Sequence, residues 1–194
     1  MPKLVFSPAP HLKNKAATVA DAMRDVIVAL IPISLVSIYF FRFYAVFLIV
    51  VCMATAALTE VLFRAYLKKK PTLKDGSALL TGLLVALCFS PTTLWWTAAL
   101  STFIAVGVAK ELMGGLGWNR FNPALFGRVA IIVLAPWLVY ISGYFSHLAV
   151  DFGSIDAMSQ ATPLAMLQSG MQMPSLGSMF VAFPGGALSE TSAL

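Results

Sequence analysis

Long stretches of this chain contain no Asp, Glu, Lys or Arg, among them residues 26–41, 43–59, 76–109 and 129–150. Each can hold an apolar run approaching the ~20 residues that a helix needs to cross the hydrocarbon layer of a membrane. A water-soluble core does not fit, because 59% of the residues are hydrophobic and only 11% are charged. Ordinary soluble domains are roughly 45–50% apolar and about 25% charged. The expected fold class is therefore all-α, a polytopic transmembrane helical bundle of about five spans. The first twenty residues are basic and lack an apolar run, so no signal peptide is expected and the first apolar helix should be retained.

Charges and helix breakers divide the apolar sequence. A segment at 1–23 precedes spans expected at 24–41 and 44–63, with Arg42 in the tight connection between them. A third span over 76–89 stops at Ser90-Pro91, because the residue before proline is pushed out of helical geometry. The fourth, 95–112, opens on the interfacial pair Trp95-Trp96. The fifth, 129–141, contains Pro136, where a kink is expected.

The net charge of +5 has a simple origin in helix flanks. No basic patch interleaved with aromatics exists, so nucleic acid is not an expected partner; the lipid bilayer is. Cytoplasmic flanks are enriched in Lys and Arg. Lys3, Lys13, Lys15 and Arg24 precede the first span, Arg64, Lys68, Lys69, Lys70 and Lys74 fill the second connection, and Lys110, Arg120 and Arg128 surround the fourth. All of these fall on one side, which assigns the N-terminus to the cytoplasm and leaves only Arg42 for the far side. Residues 142–194 carry no Lys or Arg and become rich in Gly, Ser, Gln, Met and Pro, which reads as an extracytoplasmic segment with one short helix at 162–169. Cys52 and Cys88 stand apart in apolar segments, without metal-ligand spacing, and read as packing thiols.

Three segments could carry chemistry. In 114–128, GGLGWNRFNPALFGR, the plain reading is a cytoplasmic turn in which glycines end one helix and Arg128 anchors the next at the headgroups. The functional reading is that Gly114, Gly115 and Gly117 bare backbone N–H groups to a flat polar ligand. Asn119, Asn122, Arg120 and Arg128 would then supply hydrogen bonds. The second segment, Asp75-Gly76-Ser77, opens a helix with an acidic cap and a small-residue face through Gly76, Ala78 and Gly82. Near it in depth, Glu60 and Glu111 read as partners of Arg64 or Lys110, with ion or proton service as the other reading. In the third, 156–165, DAMSQATPLA, Thr162 precedes a proline; taken alone, the segment is a turn or helix N-cap.

Together, GGLGWNRFNPALFGR, DGSALLTGLLVAL (75–87) and DAMSQATPLA resemble the D subunit of the Rnf electron-transport complex. More distantly they are similar to the B subunit of the sodium-pumping NADH:quinone oxidoreductase. DAMSQATPLA looks like that family's flavinylation signature, made here by Asp156, Ser159, Ala161 and Thr162, with Gln160 where glycine is usual. The resemblance implies FMN held covalently by a phosphoester to Thr162, placed there by a flavin transferase working outside the cytoplasm. Charge counting independently puts Thr162 on the outer face. The resemblance further implies a bacterial or archaeal cytoplasmic (inner) membrane location, other Rnf subunits as partners, electron flow from ferredoxin toward NAD, and coupled sodium or proton translocation. The loop at Gly114–Gly117 and the start of the third span would line a second site, for riboflavin or a quinone. Family members are longer, and GALSETSAL (186–194) looks like their lead-in to a further helix, so the chain is expected to be part of a longer protein. The rival readings are a permease-like channel and a scaffold subunit with no cofactor of its own.

Overall fold

A computed structural model describes residues 18–69, 72–90, 93–144, 167, 170, 175, 177 and 187–190, with side chains in its last long helix followed to Leu134. Among the described residues every regular element is helical. Helix α1 spans Val19–Tyr66, α2 spans Ser77–Leu87 after a 3-10 turn at Leu73–Asp75, and α3 spans Trp95–Phe103 and continues as a π-helix over Ile104–Leu112. Helix α4 spans Pro123–Tyr144, and a second 3-10 turn lies at Leu188–Glu190.

Helix α1 begins earlier than the apolar run because Thr18 supplies a cap. Its Oγ1 accepts from the Asp21 backbone N–H at 3.2 Å, and the Asp21 carboxylate accepts from the Thr18 N–H at 2.9 Å. Two of the helix's orphan donors are satisfied reciprocally. Thr18→Ala is expected to cost about 1 kcal/mol, measured as a small drop in unfolding temperature.

An unbroken helix of 48 residues would be about 72 Å long, more than twice the ~30 Å of a hydrocarbon core. The chain reverses instead at Arg42, whose φ of 48° and ψ of −129° leave helical geometry. Contacts on either side show the reversal. Met23 and Ile27 lie against Gly76 at the start of α2, while Ser37 meets Leu188, which is bonded to Phe89 just past the end of α2. The second half runs back: Cys52, Met53 and Ala56 pack on Gly82, and Glu60 returns to the level of Thr72 and Ser77.

Helix α2 is the centre of the bundle. Nine of its eleven residues are buried, and it touches α1, α3, the π-helix and α4. The third stretch read as a span thus contains a helix about 16 Å long, half a membrane thickness, enclosed by its neighbours. Its α1 contact depends on Gly82, where an added Cβ would stand 2.8 Å from the Cys52 carbonyl oxygen. The small-residue face read from the sequence is real there, whereas Gly76 sits at ordinary van der Waals distance and serves instead as a left-handed cap with φ 73°.

Helix α4 starts at Pro123 rather than at 129. Asn122 reads as a turn in sequence, but its Oδ1 accepts from the Ala124 N–H at 3.0 Å and its carbonyl accepts from the Phe126 N–H. That makes it an N-cap with proline at the first helical position, where the missing N–H costs nothing. The helix continues through Pro136 to Tyr144. Its contact with α3 is backbone-close: a Cβ on Gly127 would lie 2.5 Å from the Ser101 carbonyl oxygen and 2.8 Å from the Ala105 Cβ. Gly127→Ala is therefore expected to force α4 outward and cost about 1–3 kcal/mol, read as a lower thermal midpoint of the purified protein in detergent.

The outside of the bundle is apolar. Helix α1 is long and apolar enough to cross a membrane, and only 28% of its most hydropathic window is buried. The core helix of a soluble protein would be mostly buried. Val28, Leu35, Tyr39, Phe43, Leu58, Leu62, Ile132 and Val133 are all exposed. In water such a surface would aggregate, whereas lipid tails cover it without cost.

Candidate functional site

At the end of the bundle where α2 begins, five ionisable side chains meet. The Lys110 ammonium donates to Glu60 Oε2 at 2.7 Å and to Ser77 Oγ at 2.6 Å. Glu60 Oε1 accepts from the Thr72 hydroxyl at 2.5 Å. Arg64 Nε lies 3.6 Å from Glu60 Oε1 and 3.1 Å from Glu111 Oε2, and its Nη2 donates to Glu111 Oε1 at 3.3 Å. Asp75 Oδ1 accepts both the Ser77 N–H and the Ser77 hydroxyl. Glu60, Lys110 and Glu111 are each at most 1% exposed. Buried charge is tolerated only when paired and hydrogen-bonded, and these charges are.

Lys110 and Glu111 are adjacent in the π-helical segment Ile104–Leu112. Such widened turns are rare and occur often at functional sites. Here the segment delivers neighbouring residues of opposite charge to different partners on α1. The sequence reading paired Glu60 and Glu111 with Arg64 or Lys110, and the structure makes both pairings. It also shows what the sequence reading missed, which is that one guanidinium bridges both carboxylates.

A cavity of about 380 Å³ opens beside this network. Its apolar wall comes from Met23, Leu80, Leu84, Leu116, Phe121 and Pro123, and its polar side from Ser77, Thr81, Lys110, Asn119, Arg120 and Asn122. The start of α2 and the loop 113–122 therefore do converge. Of the residues singled out in that loop, Asn119 and Asn122 line the cavity. Gly114, Gly115 and Gly117 do not; they form the turn above it with φ of 118°, 96° and 90°, a left-handed run that favours glycine. Arg128 points elsewhere. Its Nη1 donates to the Cys88 carbonyl at the C-terminal end of α2, where a cation complements the helix dipole, and it does not line the cavity. Asp156, Ser159, Ala161 and Thr162 lie outside the described residues, as does the helix expected at 162–169 apart from Leu167. Among the described residues no group of His, Cys, Asp and Glu could hold a metal ion.

Residues 5–194 match the NQR2, RnfD, RnfE family. The chain belongs to that family. It is 35% identical to the D subunit of the Na(+)-translocating ferredoxin:NAD(+) oxidoreductase complex of Acetobacterium woodii, across 98% of this chain and 59% of the relative. It is 34% identical to the D subunit of the proton-translocating ferredoxin:NAD(+) oxidoreductase complex of Clostridium ljungdahlii, across 97% and 58%. Similarity to the D subunit of the ion-translocating oxidoreductase complex of Rhodobacter capsulatus is also 34%, across 94% and 58%. The chain thus spans less than two thirds of the length of these relatives. Membership of the family accounts for the apolar exterior, since the relatives' names describe complexes that move ions.

Proposed function

We propose that this chain is a D-type membrane subunit of an Rnf-like ferredoxin:NAD oxidoreductase complex. In this reading it relays electrons through FMN carried on Thr162 and contributes to ion translocation. The observation that carries the reading is the family match over 5–194 together with DAMSQATPLA at 156–165. The layout of the helices supports it. Helix α4 leaves the cavity end at Pro123 and runs 22 residues, about 33 Å. Further along, the Leu188 N–H donates to the Phe89 carbonyl and the Leu188 carbonyl accepts from the Ser37 hydroxyl at 2.5 Å. Both anchors of the intervening segment are thus remote from the lysine-rich end, in keeping with Thr162 on the outer face and the flavin transferase acting there.

The cavity at the opposite, cytoplasmic end is proposed as a second, non-covalent flavin site. Its dimensions and lining fit a flat, polar-edged ring: two amides, an ammonium and a guanidinium on one side, leucines and Phe121 on the other. A bound flavin supplies one- and two-electron chemistry; the chain's own part is to bind, orient and desolvate. Asn119, which lines the cavity, is held there by its Nδ2, which donates to the Phe121 carbonyl at 3.2 Å. Relatives are named for sodium in one case and protons in another, and the coupling ion here is left as either. The remaining subunits would hold the ferredoxin and NAD sites.

The test is direct. The purified protein, precipitated in acid and washed, should keep its yellow colour and in-gel fluorescence, and its intact mass should exceed the polypeptide's by one flavin phosphate. A colourless pellet of unmodified mass would favour the channel or scaffold readings instead.

A further inference from the structure

The cavity has a one-sided polarity that the family resemblance did not anticipate. Among the described residues its lining includes no aspartate or glutamate. Of its two cations, Arg120 is exposed, while Lys110 is 1% exposed and fixed in direction. Two of the three ammonium N–H groups are used, on Glu60 Oε2 at 2.7 Å and Ser77 Oγ at 2.6 Å. The Ser77 hydroxyl cannot release it, because its own proton is committed to Asp75 Oδ1 at 2.6 Å. The Thr81 hydroxyl donates to the Ser77 carbonyl, and the hydrogen bonds of Lys110 go to Glu60 and Ser77 rather than to it. The third N–H of Lys110 has no acceptor among the described residues, and Lys110 lines the cavity. A buried ammonium with one donor to spare needs an acceptor from outside the described residues, and the cavity is where one can approach.

We propose that Lys110 anchors the cavity's occupant by its carbonyl edge and binds the reduced, anionic form of a flat redox ligand more tightly than the oxidised form. The proposal rests on the reading of the cavity as a flavin site and deepens it by naming the residue that sets preference between redox states. The physical reason is charge. Two electrons from an external donor and one proton from water leave one negative charge on the ring. In a site walled by leucines and Phe121, that charge is stabilised by a fixed ammonium far more than water would allow. Glu60 does not line the cavity, and its carboxylate holds the ammonium in place.

The experiment uses the purified protein carrying Thr162→Ala, so that covalent flavin adds no signal, with riboflavin as the probe. Binding is followed by quenching of riboflavin fluorescence, and the potential of the bound probe by spectroelectrochemical titration. Lys110→Met alone would strand Glu60 as a buried charge, so it is paired with Glu60→Gln, which removes both partners together. Lys110→Arg keeps the charge. The double variant, eluting as a monodisperse peak, is expected to bind oxidised riboflavin at least tenfold more weakly. It should also lose a further tenfold preference for the reduced form, which is about 30 mV of midpoint potential for a two-electron couple. Lys110→Arg should retain the potential, a result that a merely structural role for Lys110 does not give. Saturable binding with affinity and potential unchanged in the double variant overturns the role of Lys110 and leaves the cavity reading standing. Failure of riboflavin to bind the parent protein overturns both.

Discussion

Thr162→Ala is expected to abolish covalent flavin attachment outright, with no intermediate level. A phosphoester needs a hydroxyl oxygen, and alanine has none. The nearest other hydroxyl upstream is Ser159, three residues away, and a transferase that reads a spacing would not reach it. The variant chain, purified and denatured in acid, should be colourless and non-fluorescent in a gel, with the mass of the bare polypeptide. Thr162→Ser keeps the oxygen and should keep part of the label. If the alanine variant retained a flavin-sized mass increment after denaturation, attachment would lie elsewhere and the motif assignment would be wrong. Because the readout is a mass, it separates loss of the bond from loss of activity in a many-subunit complex.

Apolar segments and their ends were legible where a local rule decides them. Arg42 between two charge-free runs marked the reversal inside α1, and Asp75 before Gly76-Ser77 marked the start of α2 with the acidic cap that the structure shows. Gly82 was legible as a packing glycine because small residues let helices approach. What could not be read depends on partners distant in sequence. Lys110 and Glu60 are separated by 50 positions and Arg64 and Glu111 by 47, so local spacing could offer both pairings but not their geometry. The partner of Arg128 was hidden for the same reason, since the Cys88 carbonyl lies 40 residues earlier. The length of α2 was overestimated for a related reason. Hydropathy continues through Cys88-Phe89, while the helix ends at Leu87 and the chain turns inside an apolar enclosure where composition carries no boundary. The π-helical stretch Ile104–Leu112 has no sequence marker that we can name.

Arg64→Met is expected to destabilise the protein by about 3–5 kcal/mol, the cost of leaving a buried ion without its partner. Lys110 is engaged by Glu60 and Ser77, so Arg64 is the cation that meets Glu111, with contacts at 3.1 and 3.3 Å. Removing it leaves a carboxylate that is 1% exposed without the cation that these contacts supply. Adding Glu111→Gln should recover most of the loss, because an amide carries no charge to compensate. Arg64→Lys should fall between, since an ammonium keeps the charge but cannot present the planar fork that reaches Glu60 and Glu111 together. Unfolding midpoints of the purified protein in detergent, arranged as a double-mutant cycle, isolate the coupling. A single variant within about 0.5 kcal/mol of the parent would mean that water screens the pair as it does at an open surface. The cavity beside it would then be wet, and Lys110 could not hold a ligand's charge in the way proposed. The stability of Arg64→Met thus reports on the dielectric of the same site whose redox preference Lys110 is proposed to set, without any ligand being present.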